Sequence, residues 1–99
     1  MEYLILVDTD ITDPSWVQEY LAKVTPLVLS HGGSYITRSS GSELLEGDLK
    51  PHYSLVAKFP SKDAALAFYN SEEYAPFRAA RQKGSKSRLL LVPVENGAA

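Results

Sequence analysis

Two short runs, "YLILVD" at residues 3–8 and "RLLLVPV" at residues 88–94, constrain this chain more than anything else in it. Successive side chains of a strand point to opposite faces. In the first run Ile5 and Val7 share one face and Leu4 and Leu6 the other; in the last, Leu89 and Leu91 oppose Leu90 and Val92. A strand half in water alternates apolar with polar residues, so strands apolar on both sides must be covered on both. The 99 residues, 44% apolar and 22% charged, suffice for one core without staples. Residues 1–95 read as a single domain and residues 96–99 as a flexible tail.

Between these runs the apolar period changes. In "TDPSWVQEYLAKVTPLVLSHGG", Asp13 is placed to cap a helix and Pro14 stands at its first turn, where a missing N–H costs nothing. Val17, Tyr20, Leu21, Val24, Leu27, Val28 and His31 then recur at three- and four-residue steps, one face of a helix. Pro26 predicts a kink near Ala22, not a break, because the stripe continues past it. Gly32 or Gly33 ends the helix with positive φ. "SYITRS" (residues 34–39) and "HYSLVAKF" (residues 52–59) read as strands joined by a long connection at residues 41–51. A helix opens at Pro60 and Ser61, Asn70 and Ser71 interrupt and recap it, and a second segment carrying Tyr74, Phe77, Arg78 and Arg81 runs to Gly84.

The order β-α-β-β-α-β is the ferredoxin-like α+β arrangement, a four-stranded antiparallel sheet with its helices on one face. The other face then has no cover within the chain. A homodimer packing sheet on sheet is the simplest closure.

The segments "TDPSWVQEY", "HGGSYITR", "LLEGDLKP", "FPSKDAALAFYNSEEY" and "RAARQ" resemble, in order and spacing, the small bacterial proteins grouped as domain of unknown function 1330. The resemblance runs over nearly the whole chain. It implies a dimeric α+β barrel, whose wider relatives include cofactor-free monooxygenases, small isomerases, cyclases and heme-dependent enzymes. The first strand departs from many members, with Ile5 and Asp8 where an aromatic and a basic residue are common.

Several function classes are disfavoured by composition. A net charge of −2 gives no general attraction to nucleic acid or to an anionic membrane surface. The third strand lacks the Lys/Arg-Gly-aromatic-Gly pattern of an RNA-recognition domain. No signal-peptide pattern follows Met1, and a cytoplasmic location is expected. There is no cysteine, no Ser-His-Asp set, no phosphate loop and no dinucleotide glycine motif. His31, His52, Glu46 and Asp48 lack the paired spacing of a transition-metal site, and heme ligation by either histidine is the weakest reading. No cofactor is expected.

What remains is an aromatic set, Trp16, Tyr20, Tyr35, Tyr53, Tyr69 and Tyr74, that suits either core packing or an apolar cleft with a few hydroxyls. The candidate site takes His31 as proton acceptor, Arg38 as partner of a developing anion, and Tyr35, Tyr53 and Tyr69 as contacts for a small apolar or aromatic ligand. These five side chains are expected to border one cavity of roughly 300 Å³ or more, with residues 41–51 as its lid. Glu46 is a candidate partner for Arg38, and Arg78, Arg81, Lys83, Lys86 and Arg88 form a basic run that could steer an anion. Two functions fit: a cofactor-independent enzyme of isomerase, cyclase or monooxygenase type, or a non-catalytic dimeric binding or structural module. The bland alternative for His31 is a helix C-cap.

Overall fold

The computed structural model describes residues 1–95; the expected tail at 96–99 lies outside the described residues. Strand β1 (Tyr3–Ile11) leads through a 3-10 turn (Pro14–Trp16) into α1 (Val17–Ser30). Strands β2 (Ser34–Ser39) and β3 (Tyr53–Phe59) follow, then α2 (Lys62–Tyr69), α3 (Ala75–Gly84) and β4 (Ser85–Pro93). The sheet order is β2-β3-β1-β4 with every neighbouring pair antiparallel, the ferredoxin-like arrangement expected.

Local chemistry explains most boundaries. Asp13 accepts from the Ser15 N–H at 3.0 Å, so the expected cap closes the 3-10 turn that precedes α1. The helix runs on through Pro26. Ala22, whose carbonyl loses its usual donor there, and Pro26 itself both lie on the exposed side. At the far end the Gly33 N–H reaches the Val28 carbonyl at 2.9 Å and the Gly32 N–H reaches that of Leu29 at 3.1 Å, with Gly32 at φ +80°. This is a Schellman close, in which a left-handed residue lets the last carbonyls be satisfied. Ser61 caps α2 by accepting from the Ala64 N–H at 3.1 Å. The Ser71 hydroxyl donates to the Phe68 carbonyl and accepts from the Tyr74 N–H, ending one helix and starting the approach to the next.

Two strands are longer than expected. β1 reaches Ile11 and β4 starts at Ser85, with Asp8, Thr9 and Asp10 opposite Arg88, Ser87 and Lys86. The polar residues that mark an end in either strand alone complement each other across the ladder: Arg88 donates to Asp8 at 2.7 Å and Ser87 to Thr9 at 3.3 Å.

The two faces of the sheet differ. Ile5, Ala57 and Phe59 join Val24, Val28, Ala65, Phe68 and Tyr74 from the helical side in the buried core, with Val7, Leu55, Leu89 and Leu91 packed around it. Leu4, Leu6, Val56, Leu90 and Val92 alternate onto the opposite face, where none is buried and Leu90 is 46% exposed. Among the described residues no helix is long and apolar enough to cross a membrane.

Candidate functional site

Between the helices and the sheet lies a cavity of about 70 Å³, walled chiefly by Ile5, Val7, Val24, Leu55 and the aromatic set. It is well below the 300 Å³ expected from the sequence, yet several times the ~10–15 Å³ that one water requires. Ring packing accounts for the reduction. Trp16 meets Tyr20 edge-on at 5.2 Å, Tyr20 approaches Tyr74 at 6.1 Å, and Tyr74 tilts over Phe68 at 4.6 Å between centroids.

Four of the five expected site residues reach this cavity: Tyr35, Arg38, Tyr53 and Tyr69. His31 does not. Its Nδ1 lies 2.8 Å from the Leu27 carbonyl, which can only accept, so the imidazole donates back into its own helix. The ring also packs edge-on against Phe68 at 6.0 Å, behind that wall residue and not itself on the lining. Position 31 sits at the C-cap, where free carbonyls compete for any donor the sequence offers. Arg38 has no bond to Glu46. Its guanidinium carbon stands 4.0 Å over the Tyr35 ring and its Nη1 donates to Thr25 at 3.0 Å, which holds the side chain across the outer part of α1. No residue of the 41–51 loop lines the cavity.

Tyr20 and Tyr74 share a hydrogen bond of 2.6 Å. Burial pushes the Tyr20 phenol far above its ordinary range, and the bonded Tyr74 hydroxyl adds to the effect. Burial likewise raises Tyr35, against the opposing influence of Thr25 and Arg38. The lining includes no carboxylate and no imidazole. Among the described residues no cluster of three or more His, Asp or Glu could hold a metal ion.

The sequence reading missed the most unusual group in the site. Arg81, grouped there with a basic run that could steer an anion and not with the site, is only 4% exposed and lines the cavity. Its buried Nε and Nη2 have no hydrogen-bond partner among the described residues. Burial opposes its charge, and the adjoining hydroxyls of Tyr74 and Tyr20 favour it, so that the net shift of the group is upward. A signal was present: Tyr74, Phe77 and Arg81 follow steps of three and four, which puts Arg81 on the apolar stripe of α3.

Comparison with known proteins agrees with this architecture. The family model described as a domain of unknown function (DUF1330) matches residues 2–94. Among solved structures, the RPA0582 protein of unknown function from Rhodopseudomonas palustris is similar at 16% identity, covering 96% of this chain and 84% of that one, with a TM-score of 0.77. SnoaB, a cofactor-independent oxygenase from Streptomyces nogalater, is similar at 17% identity over 96% of this chain and 94% of its own, with a TM-score of 0.67. An antibiotic biosynthesis monooxygenase aligns at 14% identity over 97% of this chain and 100% of its own, with a TM-score of 0.51. At these identities the likeness carries the fold alone. No curated protein matches the chain.

Proposed function

The chain belongs to the DUF1330 family, and from that premise we propose that it binds a small apolar or aromatic metabolite in the cavity between helices and sheet, as a homodimer closed through the open sheet face. The observation that carries this reading is the cavity itself, a mainly apolar space with several hydroxyls, the buried Arg81 and the more exposed Arg38 on its lining. Tyr35, Tyr53 and Tyr69 are the ligand contacts, and Arg38 stands at the Tyr35 edge of the site.

His31 stands outside the proposed site. With its imidazole committed to Leu27, and with no carboxylate on the lining, the cavity offers no protein base to an isomerase or cyclase. That favours binding over turnover. Of the three reaction types, only oxygenation of a ligand that arrives already ionised dispenses with such a base. The oxygenase neighbours share the fold, which makes this the enzymatic form of the proposal that the geometry supports.

Trp16, the one tryptophan of the chain, lines the cavity and reports its occupancy. Nitrobenzene, a neutral single ring that quenches indole emission, should quench Trp16 saturably in the wild type. Filling the space with Val24→Phe should leave only linear, collisional quenching. Linear quenching in both proteins would remove the binding reading.

A further inference from the structure

We infer that Arg81 is the anchor for a planar oxyanion, of carboxylate type, carried on the apolar ligand. The inference rests on the cavity-binding reading above and names the class of ligand within it.

An arginine buried to 96% normally has its donors filled, because a desolvated cation with unpaired N–H groups is among the most costly states a side chain can hold. Here Nε and Nη2 are both without partners. These two nitrogens form one edge of the guanidinium plane, the edge that meets the two oxygens of a carboxylate in parallel. Two adjacent unfilled donors on one edge therefore describe the shape of the missing acceptor, as well as its charge. None of the acids among the described residues supplies it: their ion pairs are Asp8–Arg88, Glu2–Lys58 and the Asp10–His52 contact, all elsewhere. The apolar walls beside Arg81 give the rest of such a ligand a place out of water.

The cavity also shares a wall with an open groove, from which a ligand would approach. An open groove of about 420 Å³ runs between α3 and β4, and Tyr69, Arg81 and Leu89 belong both to it and to the cavity. The remaining groove residues, Gln82, Ser85, Lys86 and Ser87, are polar or basic and include no acid. An anion approaching along this groove meets Lys86 first and reaches Arg81 at the inner wall, with its apolar part directed into the cavity. Lys86 steers; Arg81 binds.

The test compares 4-nitrobenzoate with 4-nitrobenzamide, two quenchers of nearly equal shape that differ in charge, by Trp16 emission. Saturable binding of both with the carboxylate tighter by at least about tenfold, the factor that 1.4 kcal/mol represents, is expected for a desolvated charge-assisted pair. Arg81→Met should abolish the preference while keeping the affinity for the amide; Arg81→Gln, neutral but polar, serves if that variant does not fold. Equal affinities in the wild type, or a preference that survives loss of Arg81, would overturn the inference and leave cavity binding standing. Failure of both probes to bind saturably would overturn the cavity reading and this inference with it.

Discussion

An arginine whose Nε and Nη2 have no hydrogen-bond partner among the described residues is a burden on the free protein, since the neighbouring phenols of Tyr74 and Tyr20 offset its desolvation less fully than a carboxylate on those two donors would. Arg81→Met should therefore raise the urea denaturation midpoint of the unliganded chain. A lower midpoint would mean that the guanidinium is structurally satisfied. The opposite applies to His31, whose Nδ1 bond to Leu27 is part of a helix end. His31→Ala should cost about 0.5–1.5 kcal/mol, the net worth of one hydrogen bond, and leave nitrobenzene quenching of Trp16 unchanged. Altered quenching would return His31 to the site. Asp13 gives a pH signature of its own. The Ser15 backbone N–H holds its carboxylate below the ordinary value of 3.8, with Lys83 adding a smaller pull in the same direction. A group depressed on folding contributes stability above its unfolded value and loses it as pH falls through the folded one. The denaturation midpoint should drop as pH falls through and below the ordinary carboxylate value of 3.8, and the drop should be smaller in Asp13→Asn, which keeps an oxygen for the cap. An identical drop in both proteins would place the effect on other carboxylates.

At the scale of elements, the end of α3 fastens the start of α1 through a single carbonyl. Gly84 accepts from the backbone N–H groups of Thr12 and Asp13, each at 3.0 Å, and from the Trp16 indole at 3.1 Å. A Cβ on Gly84 would fall on the Trp16 ring. Gly84→Ala should destabilise by about 1–3 kcal/mol, as overpacking does, and should shift Trp16 emission because the ring must move; a native spectrum and midpoint would show that the clasp is slack. The caps at Asp13, Ser61 and Ser71, the left-handed close at Gly32 and the strand order were all legible in the sequence, because each depends on residues close together in the chain or on a simple apolar period. What was illegible depends on pairing between distant segments. The polar residues 8–10 end a strand when read alone and continue it when Arg88, Ser87 and Lys86 stand opposite. Arg81 was half legible: it belongs to a basic run, its spacing from Tyr74 and Phe77 sets it on the apolar stripe, and the packing of α3 decides between the two by turning it inward. Arg38 has a partner in Thr25 and Tyr35, where the sequence offered Glu46.

The whole molecule measures 37 × 34 × 17 Å, the shape of one helical layer on one sheet. Two layers bury one face of a sheet; the second face needs a third layer. Leu4, Leu6, Val56, Leu90 and Val92 form the centre of that open face, and the pairs Asp8–Arg88 and Glu2–Lys58 stand on the same face around it. An apolar centre with a charged rim is the pattern of a protein interface. If a second copy removed about 500 Å² of apolar surface from each protomer, the gross gain would be roughly 25 kcal/mol at about 25 cal/mol per Å², more than the ~4–15 kcal/mol that association costs. The chain should therefore sediment as a dimer at micromolar concentration. Because apolar contact outweighs the rim ion pairs, the dimer should persist at about 1 M salt, where exposed charges are screened beyond roughly 3 Å. Leu6→Lys, which sets a charge at the centre of each protomer's face, should yield a folded monomer whose Trp16 still responds to nitrobenzene, since the cavity lies on the other side of the sheet. A wild-type monomer at these concentrations would mean that the open face stays in water, and a dimer that dissociates in salt would mean that the charged rim, not the leucine centre, holds the two copies together.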